Sequence, residues 1–214
     1  MRNRAFTLIE LLVVIGIIAL LASIMLPVFK TVMERAHMTQ DASNLRQIGI
    51  GFTAYFNDHD DTIMTTGTWP ALVGPGSSGN YVSDWHVFQS PFDRRVFSTN
   101  SPQNVSYGMN DNILTLTNTN TTVTSYHYPS ALMLLGPADS KSGSGLSFAN
   151  SSTTNTTKVL PGSGIVGLAG NYTLLNVLCL DGHVMQGMKA SDFNTTNYNA
   201  NTTGQSEFWN PLAD

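Results

Sequence analysis

Cysteine is almost absent from this chain. Cys179 is the single cysteine among 214 residues, so no disulfide bond can form within one molecule. Residues 174–180 are apolar except for Asn176, which predicts a buried strand in which the thiol serves as a small hydrophobic side chain. Without a disulfide, the C-terminal region must be held by packing, and Phe208, Trp209 and Leu212 are the candidates for that contact.

Charge is scarce as well. Charged residues make up 11% of the chain and the formal net charge is −4. The basic residues form no patch, which argues against nucleic acid as a primary ligand. Asparagine, threonine, serine and glycine supply the polarity instead, and this composition suits an extracytoplasmic surface with long polar loops.

Patterns that carry catalysis or bind cofactors are missing. No C-x-x-C, H-E-x-x-H or G-x-S-x-G sequence occurs, and a G-x-G-x-x-G match at residues 162–167 lacks the βαβ setting that nucleotide binding needs. Asp181 and His183 are close in sequence, but we expect them on different faces of a tight turn. The chain is therefore predicted not to be an enzyme.

Residues 57–61 form a short N-D-H-D-D segment with three aspartates. We interpret it as a solvated turn that ends a helix. A calcium ion, which prefers oxygen ligands, is the alternative occupant, although the spacing matches no EF-hand loop. No other cofactor or metal is predicted.

The N-terminus holds the longest apolar run. Arg2 and Arg4 precede residues 6–26, which are largely apolar. A helix needs roughly 20 such residues to cross a bilayer, and the arginines would stay on the cytoplasmic side. Glu10 lies inside the apolar stretch, where a carboxylate costs roughly 2.5–3.5 kcal/mol and needs a partner. An ordinary signal peptide or a plain anchor leaves Glu10 unexplained.

The residues from Arg4 to Glu10 read R-A-F-T-L-I-E and lead straight into the apolar run. This sequence closely resembles the N-terminal signal of type IV pilins and type II secretion pseudopilins. The resemblance implies that a prepilin peptidase cuts between Ala5 and Phe6 and methylates the new amine. Ala5 stands where the family usually has glycine.

The resemblance also gives Glu10 a role in assembly. In the family, this carboxylate meets the terminal amine of a neighbouring subunit. Because an unpaired buried charge costs several kcal/mol, the pair would favour one stagger between subunits over others.

The apolar helix is predicted to continue well beyond the membrane. We predict one helix from Phe6 to about Asn57, kinked or locally opened at Pro27, where pilins commonly carry proline. Asp41 is one of the polar residues placed off its apolar stripe. Steps of three and four residues define that stripe, which comprises Met38, Ala42, Leu45, Ile48, Phe52, Tyr55 and Phe56.

The predicted fold class is α+β and pilin-like, with a long N-terminal helix packed on a C-terminal antiparallel β-sheet with long loops. The predicted parts are a leader at 1–5, a transmembrane and assembly helix at 6–29, an amphipathic helix at 30–57 and a β-rich head at 58–214. Asp181 and Gly182 separate two strand-like runs and predict a hairpin with a type I′ turn.

Several short segments resemble pilin-like proteins of planctomycete and verrucomicrobial type. They include N-L-R-Q-I-G at 44–49, S-Y-G-M-N at 106–110, and an H-x9-D-G element that ends at Asp181 and Gly182. Asn171 stands where that element has histidine. Ser90 stands where the group often has the cysteine of a C-P-S-D sequence.

The resemblance implies a structural filament subunit of a type IV pilus or type II secretion pseudopilus. Its partners would be other copies and other pilin-like subunits, a prepilin peptidase, an inner-membrane assembly platform and the membrane itself. The protein would cross the inner membrane once, with its head in the periplasm, before joining a periplasmic or cell-surface filament. The alternative is a membrane-anchored extracytoplasmic binding protein or adhesin, which would need neither filaments nor Glu10.

Overall fold

A computed structural model describes residues 7–64, 69–93, 105–110, 122–125, 129–130, 132–137, 147–148 and 174–189. These residues divide into two compact units, one reaching to Ala36 and the other beginning at His37. The predicted leader residues, the residues 162–167 and the C-terminal segment lie outside the described ranges.

The helix α1 runs from Leu8 to Asp58. We predicted a kink or a local opening at Pro27. The helix is continuous through this residue, so it is not opened there, and the kink stays a prediction. Proline removes one backbone N–H and so one hydrogen bond, that to the carbonyl of Ser23. The hydrogen bonds of the turns on either side are enough to keep the helical conformation.

The second unit contains a five-stranded sheet. Its strands are β1 (Tyr107–Asn110), β2 (Met133–Pro137), β3 (Ser147–Phe148), β4 (Leu174–Cys179) and β5 (Val184–Lys189). The order across the sheet is β3-β1-β2-β4-β5. Four strands pair antiparallel, and the short β3 pairs parallel with β1. The predicted α+β class, with a long helix packed on an antiparallel sheet, is confirmed.

The core lies between the sheet and the part of α1 that follows His37. Leu45, Ile48 and Phe52 of α1 are at most 1% exposed. They share a core with strand residues that include Tyr107 and Leu178. Each large side chain buried in this way stabilises the fold by about 1.5–3 kcal/mol. The apolar periodicity thus identified the buried face of the helix.

Two short helical elements close one side of this core. They are α2 (Trp69–Val73) and the 3₁₀ turn Trp85–Phe88. The Trp69 ring lies 5.5 Å from Phe52 and 5.7 Å from Phe88, measured between ring centroids. A third element, the 3₁₀ turn Val123–Ser125, follows further along the chain.

Cys179 is 1% exposed in β4. Burial raises the pKa of its thiol to about 12, so the sulfur stays protonated and unreactive at neutral pH. It acts as the small core side chain that the surrounding apolar run indicated.

The connection between β4 and β5 differs from the predicted type I′ turn. Cys179 donates its N–H to the carbonyl of His183 (2.9 Å), and Gly182 donates to the carbonyl of Cys179 (3.0 Å). Within residues 180–183, Gly182 alone has a positive φ, of 88°. This is a three-residue loop with one left-handed position. The left-handed position is thus occupied by Gly182, which adopts this conformation without a steric cost, and not by Asp181.

The closest approach of α1 to the β4–β5 loop generates a prediction about Gly49. A Cβ atom added there would lie 2.8 Å from Cδ1 of Leu178 and 3.2 Å from the carbonyl oxygen of Gly182. We predict that Gly49→Ala lowers the free energy of unfolding by about 1–3 kcal/mol through overpacking, despite the better helix propensity of alanine. Urea unfolding of the full chain in detergent measures this.

The matched control is Ile50→Ala, because Ile50 is the next residue of the same helix and is 70% exposed. Its effect should stay within about 0.5 kcal/mol. Equal stability of wild type and Gly49→Ala would contradict the packing described here.

Candidate functional site

A reciprocal set of hydrogen bonds begins α1. The backbone N–H and the hydroxyl of Thr7 donate to Oε2 of Glu10 at 2.9 and 2.8 Å. The N–H of Glu10 donates back to the Thr7 hydroxyl at 3.3 Å. This is a capping box, with Thr7 as the N-cap and Glu10 three residues later. The T-x-x-E spacing was readable in the sequence, although the role predicted for Glu10 rested on its charge and on the resemblance to pilins.

The structure therefore gives Glu10 a partner within its own chain. Ala5 and Phe6, the predicted cleavage and methylation residues, lie outside the described ranges. Their predicted roles stay predictions, as does the pairing of Glu10 with an amine of another subunit.

The first unit exposes an apolar surface. Large apolar side chains from Leu8 to Phe29 are about half exposed or more. Glu10 is the single ionisable residue from Leu8 to Phe29. The helix is long and apolar enough to cross a membrane, judged by length and composition. A helix that is apolar on all sides needs to be covered by lipid or by other helices.

A buried polar cluster lies in the second unit. Asp41 of α1 is 1% exposed. Its Oδ1 accepts hydrogen bonds from the hydroxyls of Ser90 (2.6 Å) and Tyr107 (2.7 Å). Its Oδ2 accepts from the side-chain amide of Asn176 (2.9 Å). These four residues, here called the Asp41 cluster, join α1 to β1, to β4 and to the segment that follows the 3₁₀ turn Trp85–Phe88.

Asn176 is held in one orientation. Its Nδ2 also donates to the carbonyl of Met38 at 3.0 Å, and its Oδ1 accepts from the N–H of Gly187 at 3.3 Å. The β4–β5 pairing slips between Leu175 and Val177, so Asn176 faces two residues of β5. This is a β-bulge, and Gly187 has a positive φ of 69° there. The amide of Asn176 thus replaces a ladder hydrogen bond and points its donors at α1.

The electrostatics of the cluster are unusual because its three donors are neutral. Burial raises the pKa of the Asp41 carboxyl more than the three hydrogen bonds lower it. Burial and the nearby Asp41 carboxyl raise the pKa of Tyr107 well above its ordinary value of 10.0. The phenol therefore stays protonated and remains a donor.

The prediction that Asp41 lies off the buried stripe was wrong. Its polarity suggested solvent, but Met38, Asp41 and Leu45 follow one another at steps of three and four and share a face of the helix. The spacing was the signal that could have identified it. Its burial depends on donors from distant segments, which periodicity does not report.

Asp181 and His183 were also predicted wrongly to point apart. Asp181 accepts from the backbone N–H of His183 at 3.1 Å and lies 2.6 Å from its Nδ1. The three-residue loop brings the two side chains to one side. Asp84 and His86 make the same pair of contacts at 2.9 and 2.8 Å, so the arrangement is a local turn motif.

No group of three or more potential metal-ligating side chains occurs among the described residues. Calcium at residues 57–61 stays the alternative to the predicted solvated turn. In that segment Asp60 and Asp61 have positive φ values of 53° and 56°, and the hydroxyl of Tyr81 donates to Oδ2 of Asp58 at 2.9 Å.

Comparisons with known proteins bear on the N-terminal part. Residues 1–26 match the family model of the prokaryotic N-terminal methylation motif. The N-terminal segment of the chain therefore carries this methylation motif. It is 37% identical over 59 residues to the type IV major pilin protein PilA of Myxococcus xanthus. That match covers 28% of this chain and 27% of the relative, so the chain spans about a quarter of the length of the relative it matches. No solved structure gives a significant match.

The capping box generates a prediction about Thr7. We predict that Thr7→Val, which keeps the shape of the side chain but removes its hydroxyl, weakens the first turn by about 1 kcal/mol. In detergent, amide hydrogen exchange at Glu10 and Leu11, whose N–H groups donate to Thr7, should become faster in Thr7→Val and stay close to wild type in Thr7→Ser. Equal protection in all three proteins would contradict a capping role.

The Asp41 cluster generates a prediction about pH. The pKa of Asp41 in the folded protein is raised above its ordinary value of 3.8. At pH values between 3.8 and the raised pKa, the folded protein therefore binds more protons at this site than the unfolded chain. The contribution of Asp41 to the free energy of unfolding is therefore largest at low pH and falls as pH rises through that window.

Urea unfolding of wild type and Asp41→Asn across about pH 4 to 7 measures this contribution. The difference in free energy of unfolding, wild type minus Asp41→Asn, should decrease as pH rises. The control Leu45→Ala, at a buried apolar position, should differ from wild type by the same amount at each pH. A wild-type advantage that grows with pH would mean that the three donors outweigh the burial.

Proposed function

We propose that this protein is a structural subunit of a type IV pilus or a type II secretion pseudopilus-like filament. The observation that carries the proposal is an N-terminal methylation motif on a helix whose apolar side chains are exposed. A prepilin peptidase cuts between Ala5 and Phe6 and the amine of Phe6 is methylated. The role is structural rather than catalytic.

Assembly moves an apolar helix from lipid to protein. Lipid tails and the helices of other subunits are similarly apolar, so this exchange has little hydrophobic preference of its own. A preference for the filament over the membrane must therefore come from polar groups. Glu10 is suited to this, because the bonds from Thr7 end on Oε2 and Oε1 can accept from the amine of Phe6 of a neighbouring subunit.

The partners and location follow from this proposal. Before assembly, the subunit lies in the inner membrane as a single-pass protein with its second unit in the periplasm. An inner-membrane assembly platform adds it to a filament made of copies of this chain or of other pilin-like subunits. The filament lies in the periplasm or at the cell surface.

Substitutions of Glu10 test the proposal. We predict that Glu10→Leu stays in the membrane fraction but lowers the yield of sheared filaments about tenfold or more, as expected when a contact worth about 1.4 kcal/mol or more is lost. Glu10→Gln keeps the size and a hydrogen-bonding oxygen but loses the charge. Its filament yield should lie between those of wild type and Glu10→Leu. Leu11→Ile, a neighbouring apolar exchange, is the control and should assemble normally.

Wild-type filament yield from Glu10→Leu would overturn the assigned role of Glu10. A wild-type protein that stays in the membrane and forms no filaments would instead indicate the membrane-anchored binding protein.

A further inference from the structure

The apolar pattern of α1 does not by itself define where the helix lies on the sheet. Apolar side chains recur at steps of three and four along its buried face. A shift of three residues along the axis would place Leu45, Ile48 and Tyr55 where Ala42, Leu45 and Phe52 now lie. Apolar burial is non-directional, so it discriminates only partly between such registers.

The Asp41 cluster, in contrast, fits one register. Ser90, Tyr107 and Asn176 direct three donors to one place, and Asp41 supplies the acceptors. A shift by three residues in one direction would bring Met38 to that place, and a shift by four in the other would bring Leu45. Either shift would leave buried hydroxyls and an amide without acceptors. A shift by three residues toward Leu45 would bring Asn44, whose own amide N–H groups would then oppose the donor of Asn176.

The chemistry of the cluster suits discrimination better than stabilisation. Its partners are neutral, so no opposite charge offsets the burial of the carboxylate, and a carboxylate in this position adds little net stability. Buried polar groups of this kind are best known for fixing register between packed helices. Gly49 adds a steric constraint two turns further along, where α1 approaches Leu178 closely.

We infer that the Asp41 cluster fixes the register of residues 38–56 of α1 on the sheet rather than adding to the stability of the fold. This inference does not depend on the proposed filament function. It applies to the second unit alone.

A remote contact reports the register. The hydroxyl of Tyr81 donates to Oδ2 of Asp58 at 2.9 Å. Asp58 follows Asp41 by seventeen residues, about 26 Å along a helix, so a substitution at Asp41 reaches this contact only if the helix moves. Fluorotyrosine incorporated into the full chain in detergent gives a fluorine NMR signal for Tyr81, which Tyr81→Phe assigns.

We expect Asp41→Leu to displace the Tyr81 signal or to add a second one with at least about one tenth of the total intensity. Leu45→Ala is the matched control, because it removes buried apolar contact one turn away without touching the cluster. It should lower the midpoint of urea unfolding and leave one Tyr81 signal at the wild-type position.

If Asp41→Leu does not fold, the double variant Ser90→Ala with Tyr107→Phe replaces it, since it removes both hydroxyl donors from Oδ1 and keeps the aromatic ring. It should likewise give a displaced or second Tyr81 signal. A single unchanged signal in the folded variant, or the same splitting in Leu45→Ala, would overturn the inference.

Discussion

The exposed apolar surface of α1 is the physical constraint that governs this protein. Each large apolar side chain left in water costs about 1.5–3 kcal/mol compared with a buried one, and such side chains follow one another from Leu8 to Phe29. The segment must therefore be covered, by lipid or by other helices. Glu10 is the single ionisable group in this stretch, and Thr7 gives it a local partner through the capping box.

The second unit meets a different requirement, because it has to hold a helix on a sheet without a disulfide. Cys179 is a buried core residue, and it is the single cysteine of the chain. The connection across the core is instead a carboxylate with neutral donors from three segments. Apolar packing supplies most of the free energy, and the hydrogen bonds supply direction, since only they require one alignment of helix and strands.

Local signals in the sequence predicted much of this architecture. The apolar steps from Ala42 to Phe56 identified the buried face of α1, and the strand-like runs around Asp181 and Gly182 identified β4 and β5. The burial of Asp41 was not predictable in this way, because its partners lie 49, 66 and 135 residues away. The turn type was missed because Asp181 avoids a left-handed conformation and Gly182 alone takes it.

The proposed assembly depends on processing before Phe6, and the mass of the N-terminal peptide from protein made in its own cells tests this step most directly. Processing at this bond predicts a peptide that begins with methylated Phe6. A peptide that retains Met1 would contradict processing and leave a simple membrane anchor. A peptide that begins near Ser23 would identify an ordinary secreted protein and contradict the filament assignment.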